Sequence, residues 1–229
     1  MSMLSRFATL SSASGGDPYW ANVTYLLVGN GANGTTTNII DSSSVGATLT
    51  RTGSPVISTA QSKFGSGSLY VNGSSYVSGP TISSYTFPGD FTVEAWVYIV
   101  SYQMGPLLAV GTYSNGVWLR SNSGTECAIN GTFFALSGPH NSIFPLNTWL
   151  HVAITRSGTT GRLFVNGILN SSITVSGTVN TTGKPVVIGA SPHSTTEFTN
   201  DYTYNFRVTK GVARYTANFT PPTAAFPTS

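Results

Sequence analysis

The sequence predicts an all-β fold, a sandwich of antiparallel strands, and three observations predict it. Apolar and polar residues alternate with period two in several runs, most clearly in Phe91–Val100 and Trp149–Thr155. Asn-Gly pairs at 72–73, 115–116, 130–131 and 166–167 punctuate such runs. Both residues of that pair tolerate the positive φ that a two-residue hairpin demands. No stretch of useful length carries the 3.6-residue spacing of a helix, and short runs separated by Gly, Asn and Pro build sandwiches.

The elements follow in order. Met1–Pro18 is rich in Ser, Gly and Ala. Its apolar residues Leu4, Phe7 and Leu10 are spaced by three, which reads as an extended N-terminal arm docking on a partner. Tyr19–Val28 is a first strand and Gly29–Ser44 a loop. Thr48–Ser58 holds strand material broken at Gly53 and Pro55, and Gly67–Ser78 reads as a hairpin turning at Asn72-Gly73. In Phe91–Val100, residues Phe91, Val93, Ala95, Val97 and Ile99 line one face, while Glu94, Trp96 and Tyr98 line the other. Pro106–Val110 and Val117–Arg120 pair across Asn115-Gly116, and Glu126–Phe134 turns at Asn130-Gly131. Asn147–Asn170 forms a three-stranded nucleus. Pro185–Ile188 and Tyr202–Thr209 are the last strands, and residues 210–229 are a Pro-containing tail. One domain, 19–209, thus stands between arm and tail.

Composition bounds the function. Of 229 residues 40% are apolar, enough for a substantial core, and only 7% are charged against a usual quarter. Such a charge-poor, Ser/Thr-rich surface resembles those of proteins packed into assemblies. The ten basic residues are scattered, with a local concentration only at Arg207–Arg214, so no nucleic-acid stripe is expected. Cys127 is alone, which reads as a small buried apolar group. Met1–Ala13 lacks the apolar core of a secretory signal, and no run suits membrane insertion.

Several blocks together resemble one family: D-F-T-V-E-A-W-V-Y (Asp90–Tyr98), N-T-W-L-H-V-A-I-T-R…R-L-F-V-N-G (Asn147–Gly167), K-P-V-V-I-G (Lys184–Gly189) and A-Q-S-K-F-G-S-G-S-L-Y-V-N-G (Ala60–Gly73). They are similar to the laminin-G-like branch of the concanavalin A-like lectin/glucanase jelly rolls. The lead Gly15–Val23 and the tail Thr209–Pro222 resemble those of laminin-G-like proteins in tailed-phage virions. The resemblance implies a jelly roll of two curved antiparallel sheets.

Candidate sites are few. Glucan-hydrolysing relatives carry paired carboxylates on one strand. Here the seven acidic residues include no i, i+2 pair, so no catalytic residue is assigned. Glu94, at the parity of Asp90, is the acid an enzymatic reading would lean on. Some relatives bind Ca²⁺ near a late strand reading Y-x-D-D-x-R. The segment here is Tyr202-Thr203-Tyr204-Asn205-Phe206-Arg207, with both acidic positions replaced. Glu197 and Asp201 in the preceding loop are the weak metal candidates, and no cofactor is expected otherwise. His140, His151 and His193 are scattered, and His151 reads as a hydrogen-bonded strand histidine. Trp96 and Tyr98 on one strand face, and Tyr113 and Trp118 flanking a turn, are the candidate carbohydrate contacts, against core packing as the plainer role.

The expected function is a non-enzymatic phage virion protein, a capsid decoration or a tail or fibre component. Its partners are other virion proteins through the arm, further copies of itself, and host surface glycan, with no nucleic acid and no membrane insertion. A stand-alone carbohydrate-binding lectin and a glycoside hydrolase are the alternatives.

Overall fold

The computed structural model of the protein describes residues 16–120, 122, 126–181, 185–192, 194 and 196–229. Fifteen strands are described: β1 (Val23–Leu27), β2 (Thr50–Thr52), β3 (Val56–Ser58), β4 (Ser68–Asn72), β5 (Tyr76–Ser78), β6 (Phe91–Ser101), β7 (Pro106–Gly111), β8 (Gly116–Arg120), β9 (Glu126–Ile129), β10 (Thr132–Phe133), β11 (Trp149–Ser157), β12 (Thr160–Val165), β13 (Ile168–Thr174), β14 (Val186–Ile188) and β15 (Asn200–Lys210). They form two antiparallel sheets packed as a jelly-roll sandwich. The first sheet runs β13-β12-β11-β6-β15-β4-β3, with β1 also on β15, and the second β10-β9-β8-β7-β14-β5-β2.

The alternation in the sequence sets the faces. Val93, Ala95, Val97 and Ile99 of β6 and Leu150, Val152 and Ile154 of β11 turn inward onto Val117, Leu119, Val186 and Ile188 of the second sheet. Cys127 is buried among them. Asn166-Gly167 closes β12 onto β13 with φ of 49° and 77°, and Asn130-Gly131 closes β9 onto β10 with 50° and 73°. These are the positive angles that such hairpins require.

Asn72-Gly73 corrects one expectation, for it is not a hairpin turn: β4 lies in the first sheet and β5 in the second, so the turn carries the chain across the sandwich. The Thr48–Ser58 strand material is broken at Gly53 and Pro55 as expected, and its halves part, β2 joining the second sheet and β3 the first.

Both chain ends pack on the fold. The Pro-containing tail, past the end of β15 at Lys210, forms a strap laid over the outer face of the first sheet. The hydroxyls of Thr92 and Thr155 donate to the carbonyls of Val212 and Tyr215, and Phe219 N–H donates to Gly167 C=O. A Cβ on Gly167 would collide with that strap at Phe219. Asp17, assigned above to the arm, is buried and receives Arg207 and Arg214, while its N–H donates to the carbonyl of Ser229. The folded unit therefore includes residues 16–18 and the whole C-terminal segment. Leu4, Phe7 and Leu10 lie outside the described residues.

A bulge organises the outer face. β15 pairs with β4 through Asn200–Thr203 and with β1 through Phe206–Thr209, and Asn205 between them has φ 53°. Against β6, Tyr204 faces Trp96 but Arg207 faces Glu94, so β15 carries one extra residue there. An extra residue switches which side chains point inward.

Candidate functional site

The outer face of the first sheet is read row by row along β6. Next to the strand's C-terminal end, cross-strand register places Tyr70 (β4), Tyr202 (β15), Tyr98 (β6) and Trp149 (β11) side by side. Tyr70 and Tyr202 are stacked with ring centroids 4.6 Å apart. Tyr202 meets Tyr98 edge-on at 5.8 Å, and Tyr98 meets Trp149 at 5.7 Å. All four are partly exposed. Four adjacent strands make the row about 14 Å long. Tyr70 donates its hydroxyl to Asn200 Oδ1, and Asn200 Nδ2 donates to Ser101 Oγ, each at 3.2 Å, so an ordered amide borders the row. The hydroxyls of Tyr98 and Tyr202 and the indole N–H of Trp149 have no hydrogen-bond partner among the described residues. The row thus offers apolar ring surface with three uncommitted polar tips, the mixture that orients a ligand on a largely apolar platform.

The next row inward is closed. Trp96, only 5% exposed, lies between Tyr204 and His151 under the loop residues Lys63 and Phe64. Trp96 therefore lies beside the open row, covered, and does not present its own face. His151 is fully buried, with Nε2 3.2 Å from Glu94 Oε2.

The third row is a charge knot roofed by the strap. Arg207 donates to Glu94 Oε1 from Nε and Nη2 at 3.0 and 2.7 Å and reaches Asp17 with Nη1. Arg214 holds Asp17 with both terminal nitrogens, and Tyr215 O–H donates to Glu94 Oε2. Tyr215 and Phe219 stack 3.6 Å apart over Phe164 and His151, and Phe226 covers the Arg207 guanidinium at 3.6 Å. Burial alone would raise the Glu94 carboxyl. The charges of Arg207 and Arg214 and the contact with His151 outweigh it and hold Glu94 far below the carboxylate range. Asp17 is likewise lowered, Arg214 and Arg207 overcoming its burial. A carboxylate held ionised, paired and covered in this way has neither the proton nor the access that a general acid needs.

Tyr113 and Trp118 lie on the opposite outer face of the sandwich. Trp118 is 2% exposed, set between Ala109 and Ala128 on neighbouring strands and met by Tyr113 and Phe133. Arg120 lies against both candidate rings and pairs with Glu126. Only Tyr113 of this pair is partly exposed.

The two metal candidates have separate surroundings. Glu197 accepts the Tyr113 hydroxyl and sits near Arg120. Asp201 is fully buried and shares its inward-facing side of β15 with Thr203, whose hydroxyl lies 3.5 Å from its Oδ1. Burial pushes the Asp201 carboxyl up to about 7. Glu197 is a partly exposed loop charge, whereas Asp201 lies in β15 and not in a loop, and no cluster of three or more His, Cys, Asp or Glu side chains occurs among the described residues. His193 lies outside them.

Of the four candidate sugar contacts, then, Tyr98 is in the open row, Trp96 in the covered row beside it, and Tyr113 and Trp118 on the other outer face. Tyr70, Tyr202 and Trp149, which complete the row, were not among the candidates. The signal for Tyr202 was its alternation with Tyr204. Nothing in the sequence shows that four strands bring these rings into one register.

Comparison with known proteins bears on the fold. A laminin-G-type family profile, described as the concanavalin A-like lectin/glucanases superfamily, matches residues 71–209. No curated protein sequence matches the chain. Among solved structures, the binding domain of Paraclostridial Mosquitocidal Protein 1 superposes with TM-score 0.62 at 16% identity, covering 84% of this chain and 49% of that one. Domain 4 of AbnA, a GH43 extracellular arabinanase from Geobacillus stearothermophilus, solved with arabinotriose, gives 0.61 at 14% identity, covering 84% and 94%. Botulinum neurotoxin type C, which depends on interaction with two ganglioside molecules to enter cells, gives 0.59 at 13% identity, covering 85% and 49%. The chain spans about half the length of the two toxin structures. At these identities the likeness is one of fold.

Proposed function

The chain belongs to the concanavalin A-like lectin/glucanase superfamily, and from that membership we propose that it is a non-enzymatic, lectin-like module that binds a glycan across Tyr70, Tyr202, Tyr98 and Trp149. One observation carries the reading: a partly exposed row of four rings whose polar tips at Tyr98, Tyr202 and Trp149 have no partner among the described residues. The C–H faces of pyranose and furanose rings pack on aromatic faces, while their hydroxyls find N–H and O–H groups at the edges. The arabinotriose held by a domain of the same fold and similar extent supports it.

Titration of the full chain with oligosaccharides, beginning with arabino-oligosaccharides, tests the proposal. Saturable binding that Tyr98→Ala and Trp149→Ala each weaken at least tenfold is expected. Wild-type affinity in both variants would remove the row from the account. The non-enzymatic half rests on the seven acidic residues, of which the strand acid Glu94 is roofed and ion-paired. Release of new reducing ends from a bound glycan by the wild type would overturn it.

The finer placement we propose is on a virion, as a self-associating component docked through residues 1–15. The likeness of the chain's two ends to virion proteins and its charge-poor surface support this. Those end segments carry Asp17, Arg214 and Tyr215, so the shared residues form the strap knot. Deleting residues 2–15 is expected to leave a folded protein that particles exclude, and normal incorporation would sink the docking role.

A further inference from the structure

Lys63 stands at the margin of the open row. Its Nζ is 3.9 Å from the centroid of the Trp96 ring and 5.4 Å from that of Phe64. Phe64 meets Trp96 and Tyr204 edge-on at 5.6 and 6.0 Å, so the loop that carries Lys63 is anchored on the second row. Trp96 lies two residues from Tyr98 on the same face of β6, which puts the ammonium about 7 Å along the strand from the ring row.

The charges around this position bear on what it can bind. All seven acidic side chains lie in the described residues, and the one nearest the row, Asp201, is fully buried on the inward side of β15. Asp17 and Glu94 are in the knot, and Asp41 and Asp90 accept backbone N–H groups at Leu26 and Gly158. Glu126 and Glu197 stand beside Arg120 on the other sheet, and Asp201 points inward. The cations of the knot are consumed by Asp17 and Glu94. Lys63 has no carboxylate within ion-pairing distance and no hydrogen-bond acceptor among the described residues. The aromatic row therefore has an unpaired ammonium at its margin. Ring faces attract the ammonium only weakly at a partly exposed site, and its three donors are left for a ligand.

We propose that the glycan bound on this row is an acidic one, with a sugar carboxylate paired to the Lys63 ammonium while neighbouring sugar rings stack on Tyr98, Tyr202 and Trp149. The proposal rests on the glycan-binding reading of the row and names its ligand class. A charge-assisted hydrogen bond from Lys63 adds to stacking that a neutral sugar shares.

A glycan array carrying matched pairs, sialylated against desialylated and uronic-acid against hexose oligosaccharides, probed with the full chain, tests it. Acidic members are expected to bind about five- to tenfold more tightly than their neutral partners at low salt. That advantage is expected to vanish in Lys63→Gln, return in Lys63→Arg, and shrink at 0.5 M NaCl, with circular dichroism unchanged. Equal binding of acidic and neutral members, or an acid preference that survives Lys63→Gln, overturns the inference and leaves the glycan-binding reading standing. Failure to retain any glycan overturns both.

Discussion

The outer face of the first sheet is built twice, on the same strands, in opposite ways. At one end β6 and β15 present Glu94 and Arg207, and the chain covers them with its own Arg214, Tyr215, Phe219 and Phe226. At the other end β6, β15, β4 and β11 present Tyr98, Tyr202, Tyr70 and Trp149, and nothing among the described residues covers them completely. The covered half contains charges that must be paired because they are buried. The open half contains aromatics whose rings tolerate partial exposure, with their polar tips toward water. The first half is built for stability and the second is the proposed binding platform, and experiments that separate the two properties sharpen the contrast.

Removing the strap breaks the comparison most severely. Deletion of Gly211–Ser229 strips Tyr215, Phe219 and Phe226 from the sheet and leaves Glu94 and Arg207 facing solvent. Full burial of a large apolar side chain contributes about 1.5–3 kcal/mol; Phe226 is buried and Tyr215 and Phe219 partly so, and the three together amount to about 3–6 kcal/mol, against a total of about 5–15 for a domain. The deletion is expected to yield little folded protein. Phe226→Ala, a milder cut, is expected to lower stability by about 3 kcal/mol in urea unfolding. Wild-type stability in both variants would show the strap to be dispensable.

Next in size is the knot itself. Glu94→Gln leaves Arg207 with Asp17 as its remaining carboxylate and also weakens the contact with His151. Breaking one partner of a buried pair costs about 3–5 kcal/mol, so a loss near 3 kcal/mol is expected. Glycan affinity of the folded fraction should not change. A variant as stable as wild type would mean that Asp17 alone neutralises the site.

Parts of this contrast were legible in the sequence and parts were not. The alternation in β6 correctly put Glu94, Trp96 and Tyr98 on one face opposite Val93 and Val97, because strand parity is local. The Asn-Gly turns at 130–131 and 166–167 were legible for the same reason. The aromatic row was not, since its members come from β4, β6, β11 and β15 and meet only through pairing between strands remote in the chain. Residues 210–229 read as a tail because they carry no periodicity. They are ordered instead by threonine hydroxyls and an aromatic stack supplied by the sheet. Asp201 seemed a loop charge because the bulge at Asn205, which puts Asp201 and Thr203 on the inward side together with Phe206 and Val208, has no signature in composition.

Asp201 supplies the third prediction, a pH dependence opposite to that of the knot. Its carboxyl is pushed up by burial from 3.8 to about 7, so between those values the folded state binds more protons than the unfolded one. The stability this group contributes is present in full below about pH 4 and is lost as the pH rises through 7. Glu94 and Asp17, held low, act in the other sense: their contribution is present above about pH 4 and is lost on acidification. Asp201→Asn is expected to match wild type near pH 4 and to exceed it at pH 8, by up to about 4 kcal/mol on a three-unit shift. Parallel stability curves for the two proteins between pH 4 and 8 would place the Asp201 proton elsewhere.

The smallest stability effect belongs to the open row and carries the comparison's other half. Trp149 is partly exposed and contacts Tyr98 at the end of the row, so its truncation removes less buried area than loss of the buried Phe226. Trp149→Ala is expected to lower stability by no more than about 1–2 kcal/mol, at the low end of what large buried side chains cost. It should nevertheless reduce glycan affinity at least tenfold, since the platform loses its largest ring and the uncommitted indole N–H. Thermal unfolding and glycan titration on the same preparation read the two effects together. A large stability loss with unchanged affinity would assign Trp149 to the structural half of the face and dissolve the division between the two ends.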